Sequence, residues 1–332
     1  MSAPAHCPVS VVLPVHDDQG TLAEALTSAC AQTPPPLEVV VVDDGSRDSS
    51  VAVVRATATA LGCPVRDGAG PSPAAADEPA DRPAVVLVQQ ANAGPSAARN
   101  RGLTLARGAW TAFLDADDRW FPGKLRLQLA LLAQHPDAVA AVGDWVRQDQ
   151  PAPVLPEDPS AAPTRLLLAE DLLVLNRFQT STVLARTDLL RRIGGFDRSV
   201  DGVEDWDCWR RLAAHGPIVK ADLPLVAYRN RDASYSKDLE RVYRAGRRML
   251  QGATEPLDRA ARRRLLAWHH LRFAVAFALA GDRRRARGCL GQLVDDGVLG
   301  AAPRAAAVHL VPFLASRLRR RLAAPATGEQ AP

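Results

Sequence analysis

No Gly-x-Gly-x-x-Gly turn follows the first apolar strand of this chain, and no Gly-x-x-x-x-Gly-Lys-Ser/Thr loop occurs anywhere in it. Dinucleotide oxidoreductases and P-loop phosphotransferases, which need glycine there so that backbone amides can approach phosphate, are thereby disfavoured. Cysteine is sparse. Cys7, Cys30, Cys63, Cys208 and Cys289 are odd in number, widely spread and without a Cys-x-x-Cys pair, so neither a disulfide framework nor a zinc site is expected. His215, His269, His270 and His309 stand at no His-x-x-x-His or His-Glu-x-x-His spacing. No basic segment leading into an apolar one opens the chain, and Asp17 and Asp18 interrupt the first hydrophobic run, which argues against a signal peptide. No apolar stretch approaches the ~20 residues of a spanning helix. The expectation is a cytoplasmic protein whose membrane contact is at most peripheral. Lysine is nearly absent too: Lys124, Lys220 and Lys237 are the lysines among 41 basic residues, an arginine bias that reads as composition rather than mechanism.

What is present is enough for an ordinary core: 332 residues, 47% hydrophobic, a length that suggests about two domains. The net charge of +4 is small, but the arginine runs 262–264, 283–285 and 319–321 fall late in the chain, where they favour phosphate-bearing surfaces. From Val9 to Leu114 short β-branched runs alternate with helical segments: strands at 9–15, 37–42, 84–89 and 110–114, helices at 21–31, 48–61 and 95–107. Continuous apolar strands between amphipathic helices predict an α/β fold with a mostly parallel sheet covered on both faces. Residues 62–83 and 148–163 lack periodicity and read as surface insertions. Beyond them the pattern predicts a helix near 164–175, an extended stretch at 180–185, a helix at 204–215 and short strands at 218–220 and 225–228. From Lys237 the sequence turns helical, with Gly281 breaking one helix from the next.

In open parallel sheets ligands bind beyond the carboxyl ends of the strands, and three predicted strand ends here carry acids, the first of them Pro14-Val15-His16-Asp17. Asp43-Asp44-Gly45-Ser46 is by itself also a good turn. Asp115-Ala116-Asp117-Asp118 is harder to read so, because three carboxylates within four residues repel one another unless a cation neutralises them. Mg²⁺ or Mn²⁺ held by one or two carboxylates and by substrate phosphate oxygens meets that need, and a diphosphate ligand follows.

In order and spacing, Val11 to His16, Glu38 to Asp48, Asn92 to Gly102 and Phe113 to Asp118 resemble the family 2 glycosyltransferases of the GT-A fold, over roughly residues 9–230. The resemblance implies an inverting transferase acting on a nucleoside-diphosphate sugar. It implies that the backbone of Pro14, Val15 and His16 lines the base pocket, that Asp44, alone or with Asp43, accepts hydrogen bonds from the base, and that Arg99 faces the nucleotide. Asp115 and Asp117 match the family's Asp-x-Asp pattern, with Asp117 as metal ligand and Asp115 nearer the ribose. Where the family often has Asn, this chain has Asp17, so the donor contacts differ in detail.

A third acid group follows Gly194-Gly195-Phe196-Asp197, in Val203-Glu204-Asp205-Trp206-Asp207. An inverting transfer needs a base for the acceptor hydroxyl, and the family pattern assigns this to Asp205 supported by Glu204. Acids also favour the positive end of a helix whatever their chemistry. Trp206 and Trp209 share a helix face, as core or as a sugar platform. Arg229 and Arg231 fall where relatives often have a loop over the donor. The Gln-x-x-Arg-Trp motif and membrane spans of processive members are absent, which favours single transfers. The implied layout is a catalytic domain at 1–235, with its nucleotide-sugar half at 1–118 and acceptor half at 119–235, and a helical region at 236–332. The implied partners are a nucleotide-sugar donor and a glycan, lipid-linked or small-molecule acceptor. No nucleic acid is expected; the basic C-terminal helices, including the His309 to Leu322 segment, are where a membrane surface would be met. A sugar-phosphate nucleotidyltransferase would share the acids but needs a basic Gly-rich loop that residues 14–20 lack; a non-catalytic sugar or nucleic-acid binder would tolerate loss of Asp117 or Asp205.

Overall fold

Val39, Val40, Val41 and Val42 are all fully buried, and they point alternately into two different apolar layers. That arrangement needs a sheet covered on both faces. The computed structural model of the protein describes residues 7–68, 82–229, 238–252 and 258–310. The chain divides into two compact units, Met1–Ser234 and Tyr235–Pro332.

The first unit is built on one ten-stranded sheet. Its first half alternates β1 (Cys7–Val15), α1 (Leu22–Cys30), β2 (Pro36–Asp43), α2 (Ser50–Ala60), β3 (Val65–Asp67), β4 (Ala84–Gln89), α3 (Pro95–Leu105) and β5 (Trp110–Phe113). The second half adds β6 (Arg119–Trp120), α4 (Lys124–Gln134), β7 (Ala140–Arg147), β8 (Thr164–Leu167), α5 (Ala169–Val174), β9 (Leu184–Arg186), α6 (Thr187–Arg192), α7 (Glu204–Ala213) and β10 (Ile218–Tyr228). The order across the sheet is β3-β4-β2-β1-β5-β9-β7-β10-β6, with β8 pairing β10. Strands β3, β4, β2, β1 and β5 are mutually parallel, while β9 runs antiparallel to both β5 and β7.

The mostly parallel α/β expectation therefore holds, with corrections in the second half. Residues 164–175 are not one helix. Thr164–Leu167 pair antiparallel with Ile218–Ala221, and only Ala169–Val174 coil, because the edge of β10 offers ladder partners that local periodicity cannot reveal. The two short strands expected at 218–220 and 225–228 are a single strand, kept continuous across Pro224 by irregular register against β7. Thr180–Thr182 form a 3-10 turn before β9. The insertion at 62–83 contains β3, and the part from 69 to 81 lies outside the described residues.

Two glycines fix the approach to the sheet's carboxyl edge. Gly94 starts α3 at φ 89°, a left-handed backbone that a side chain would strain, with Pro95 pre-set for the first turn. Gly102 lets α3 lie directly on β1: a Cβ there would stand 2.4 Å from Cγ1 of Val12. In the second unit α8 (Leu239–Gln251), α9 (Arg259–Leu279) and α10 (Arg283–Asp295) pack together, each started by an aspartate (Asp238, Asp258, Asp282) whose carboxylate accepts from a backbone N–H three residues on. No helix among the described residues is long and apolar enough to cross a membrane. The segment from 311 onward, with most of the basic run ending at Leu322, lies outside the described residues.

Candidate active site

Because β1, β2 and β5 run parallel, their carboxyl ends bring His16, Asp43 to Ser46 and Asp115 to Asp118 to one edge of the sheet. The loops that follow β1 and β2 are laced together. Asp17, the one described non-glycine residue with positive φ, accepts from the Arg47 backbone N–H at 2.6 Å, and its own N–H donates to the Ser46 hydroxyl at 3.0 Å. Gln19 N–H donates to Asp48, and Asp18 N–H to Ser50.

Asp44 is buried, and both of its carboxylate oxygens are engaged: Oδ1 by the Gln90 side-chain amide (2.8 Å) and Ala93 N–H (2.9 Å), Oδ2 by Gly94 N–H (2.8 Å). It pins the turn into α3. Asp43 is buried beside it, with Oδ1 taking the Ser46 N–H at 3.2 Å. The His16 ring donates from Nδ1 to the Asp44 carbonyl (2.9 Å), which leaves Nε2 to accept from the Asn92 amide (3.1 Å). Pro14 and Val15 end β1 just before His16, in register with Val42 and Asp43.

After β5 the acids separate by environment. Asp118 is buried, accepting from the Ser181 hydroxyl (2.6 Å) and Arg229 N–H (3.1 Å). Burial first, then the charges of Asp115 and Asp117, push its carboxyl well above the usual carboxylate range. Asp115 and Asp117 are half-buried. Among the described residues no three His, Cys, Asp or Glu side chains gather into a metal cage. The residues present still fit a hard divalent ion of the kind that takes one or two carboxylates and fills its shell with phosphate oxygens and water. The negative charges of Asp115 and Asp117, which after burial help to raise the Asp118 carboxyl, are what such an ion would offset.

Arg99 joins this acid group to the next one. Its guanidinium, 8% exposed, lies over the Phe196 ring and reaches Asp115 Oδ1 at 2.8 Å with one arm and Glu204 Oε1 at 3.2 Å with the other. Burial alone would lower its pKa, but the charges of Asp115 and Glu204 outweigh burial and hold it above the ordinary arginine value. Glu204 is completed by the Gly202 N–H on Oε2 (2.7 Å). Asp205 accepts from Trp206 N–H (2.6 Å) and from the Asn176 amide (2.8 Å), and its carboxyl is pushed up to about 7, by burial first and by neighbouring Glu204 second. Strand end and helix start thus form one electrostatic unit. Truncating Arg99 to Met is expected to lower stability by roughly 1–3 kcal/mol, because it leaves the Glu204 and half-buried Asp115 carboxylates without their cation. Urea unfolding measures this, and an unchanged midpoint would refute the bridge's importance.

Sequence reasoning did not single out Asn176, Ser181 or Glu24. Glu24 on α1 meets Arg119 (2.8 Å), Arg229 (3.3 Å) and the Gln148 amide (2.9 Å), while Arg229 Nε donates to the Asp117 carbonyl (3.4 Å). No local signal marks these residues, since their partners are far away in sequence. Arg231 lies outside the described residues. Trp206 and Trp209 are core: both are buried, the Trp206 indole N–H donates to the Leu172 carbonyl, and Trp209 packs edge-on to Phe196 and tilted against Phe113.

The sequence profile described as Glycosyl transferase family 2 matches residues 10–193. The "Uncharacterized glycosyltransferase YibD" of Escherichia coli is 30% identical over 138 residues, which are 41% of this chain and 34% of that protein. "Succinoglycan biosynthesis protein ExoU" of Rhizobium meliloti is 36% identical over 125 residues, 38% of this chain and 30% of that protein. The chain spans about a third of the length of these two relatives. Among solved structures, S. aureus TarS 1-349 in complex with UDP-GlcNAc superposes with TM-score 0.61 at 20% identity, covering 88% of this chain and 83% of that one. The mannosyltransferase PcManGT from Pyrobaculum calidifontis, in complex with GDP-Man and Mn²⁺, gives TM-score 0.57 at 20% identity, covering 96% and 82%. At such identity the likeness speaks for the fold, which is the GT-A type that the sequence resemblance implies.

Proposed function

The chain belongs to glycosyl transferase family 2, and from that premise we propose that it moves a sugar from a nucleoside-diphosphate sugar to an acceptor hydroxyl with inversion at the anomeric carbon. The observation that carries this reading is the Arg99 bridge, which ties the Asp115 end of β5 to the Glu204-Asp205 start of α7 and so sets a donor-side acid group beside a candidate base.

Residues 1–118 hold the donor, 119–235 form the acceptor side, and 236–332 are an appended helical region. The backbone from Pro14 to His16, with Asp43 and the turn pinned by Asp44, lines the base pocket. Arg99 and Asp115 face the nucleotide. Asp117, with Asp115, is the holder for Mg²⁺ or Mn²⁺, whose charge when bound offsets the negative charge gathering on the leaving diphosphate. Asp205 accepts the proton of the attacking hydroxyl as its oxygen bonds to the anomeric carbon and the diphosphate departs with the electron pair on the opposite face. Glu204 acts through position: it anchors Arg99 and raises the Asp205 carboxyl toward the pH at which a base is most useful.

The nucleotide sugars held by TarS and PcManGT, and the Mn²⁺ in the latter, support the donor class and the ion. The ExoU name supports a saccharide product; the acceptor class is a glycan, a lipid-linked saccharide or a small-molecule hydroxyl of cytoplasmic access. A screen of nucleotide sugars tests the reading. One donor is expected to release its nucleoside diphosphate with Mn²⁺ or Mg²⁺ and to stay intact in chelator; a panel untouched under both conditions would overturn it.

A further inference from the structure

A cavity of about 560 Å³ in the helical unit takes part in no step described above. Its floor is apolar and buried, formed by Tyr243, Phe277 and Cys289. Arg244, Arg247, Arg248 and Arg285 stand around it, with Glu240 the single carboxylate among its lining residues.

The charges around this bowl do not cancel. Arg244 and Arg285 share the one carboxylate of Glu240, although Arg285 also meets Asp282. Among the described residues no carboxylate lies within ion-pair distance of Arg248. Residues 235–332 carry 19 Lys and Arg against 8 Asp and Glu, whereas residues 1–234 carry 22 against 29. An anion is therefore drawn to this unit and repelled by the other.

One wall is also fixed in advance. Arg247 pairs with Asp296, a carboxylate only 7% exposed, from Nε at 2.7 Å. Asp296 accepts in turn from His270 Nε2 (2.9 Å), and His270 Nδ1 accepts from the Tyr243 hydroxyl (2.9 Å) on the cavity floor. This relay holds a guanidinium and a phenol in place before any ligand arrives, so less ordering is needed on binding. Planar guanidinium forks match phosphate oxygens, and the apolar floor suits a short carbon skeleton. The volume suits one head group rather than a polymer backbone.

We propose that this cavity binds a phosphate monoester or diester, borne by a lipid head group or by a soluble acceptor, and so tethers a phosphate-bearing acceptor to the enzyme. The site stands on its own residues; only the tethering role rests on the transferase reading.

The test uses the full chain and two probes: sn-glycerol 3-phosphate by titration calorimetry, and flotation with vesicles of phosphatidylglycerol in phosphatidylcholine against phosphatidylcholine alone. Binding of either probe is expected, with Arg244→Gln/Arg248→Gln weakening it by roughly fivefold per arginine, ~25-fold in all. Glycerol 3-phosphate bound without vesicle flotation identifies a soluble phosphate; vesicle binding that glycerol 3-phosphate displaces identifies a lipid, and vesicle binding that neither the probe nor the double variant weakens lies elsewhere and overturns the lipid source. Neither probe binding, or both binding the variant as tightly as the wild type, would overturn the site. Arg248→Glu, an exposed change that breaks no described ion pair, serves as the check if the double variant unfolds. Donor hydrolysis separates the two readings: intact hydrolysis without phosphate binding sinks the cavity alone, and phosphate binding without hydrolysis of any donor sinks the transferase.

Discussion

Asp117→Ala is expected to reduce turnover roughly 10³-fold or more, while the protein stays folded. Three carboxylates occupy positions 115, 117 and 118, and the buried Asp118 responds by holding its proton well above the usual range. Removing Asp117 takes away the third cause of the raised Asp118 carboxyl, after burial and Asp115, so that carboxyl is expected to fall somewhat and the fold to persist. Catalysis suffers instead, because several kcal/mol of charge stabilisation on the leaving diphosphate depends on the ion that Asp117 would hold. Nucleoside-diphosphate release measured over a Mn²⁺ series, with thermal unfolding alongside, checks both halves. A stable variant that turns over at the wild-type rate would remove Asp117 from the chemistry.

Asp205→Asn is expected to cost ~10²–10⁴-fold in kcat. The sign of the pH dependence follows from its carboxyl at about 7. A base works deprotonated, so wild-type activity rises as pH climbs through about 7 and is lost as it falls below. The asparagine variant lacks that acid limb. Glu204→Gln removes the second cause of the raised value, the neighbouring negative charge, and is expected to move the limb to lower pH. A profile of kcat/KM from pH 5 to 9 for the three proteins decides the matter. An acid limb that persists unchanged in Asp205→Asn would give the base to another group.

Helices α8 to α10 and the glycine-framed turn into α3 follow from local rules, as do the strands and helices up to residue 114 apart from β3, which lies in the segment read as an insertion. Val39 to Val42, Gly94 with Pro95, and the acids at 115–118 each announce themselves within a few residues. Thr164–Leu167 does not: its strand exists because Ile218–Ala221, more than fifty positions away, supplies the ladder. β10 looked divided because Asp222 and Pro224 interrupt its apolar run, yet β7 carries the pairing across that interruption.

The chemistry divides in the same way. By itself the sequence determined which side chains carry charge and at which strand ends they sit, because apolar period and turn residues act over short range. Tertiary structure alone decided what each acid touches. Asp44, offered by its motif as a contact for the base, is engaged by Gln90, Ala93 and Gly94; Asp115 and Glu204 become neighbours through Arg99; and Asp205 gains its raised carboxyl from burial and from Glu204. A carboxylate's hydrogen bonds and its proton affinity depend on what lies within a few ångströms in space, and residues some fifty to a hundred positions apart in the chain become such neighbours only when the sheet closes them together.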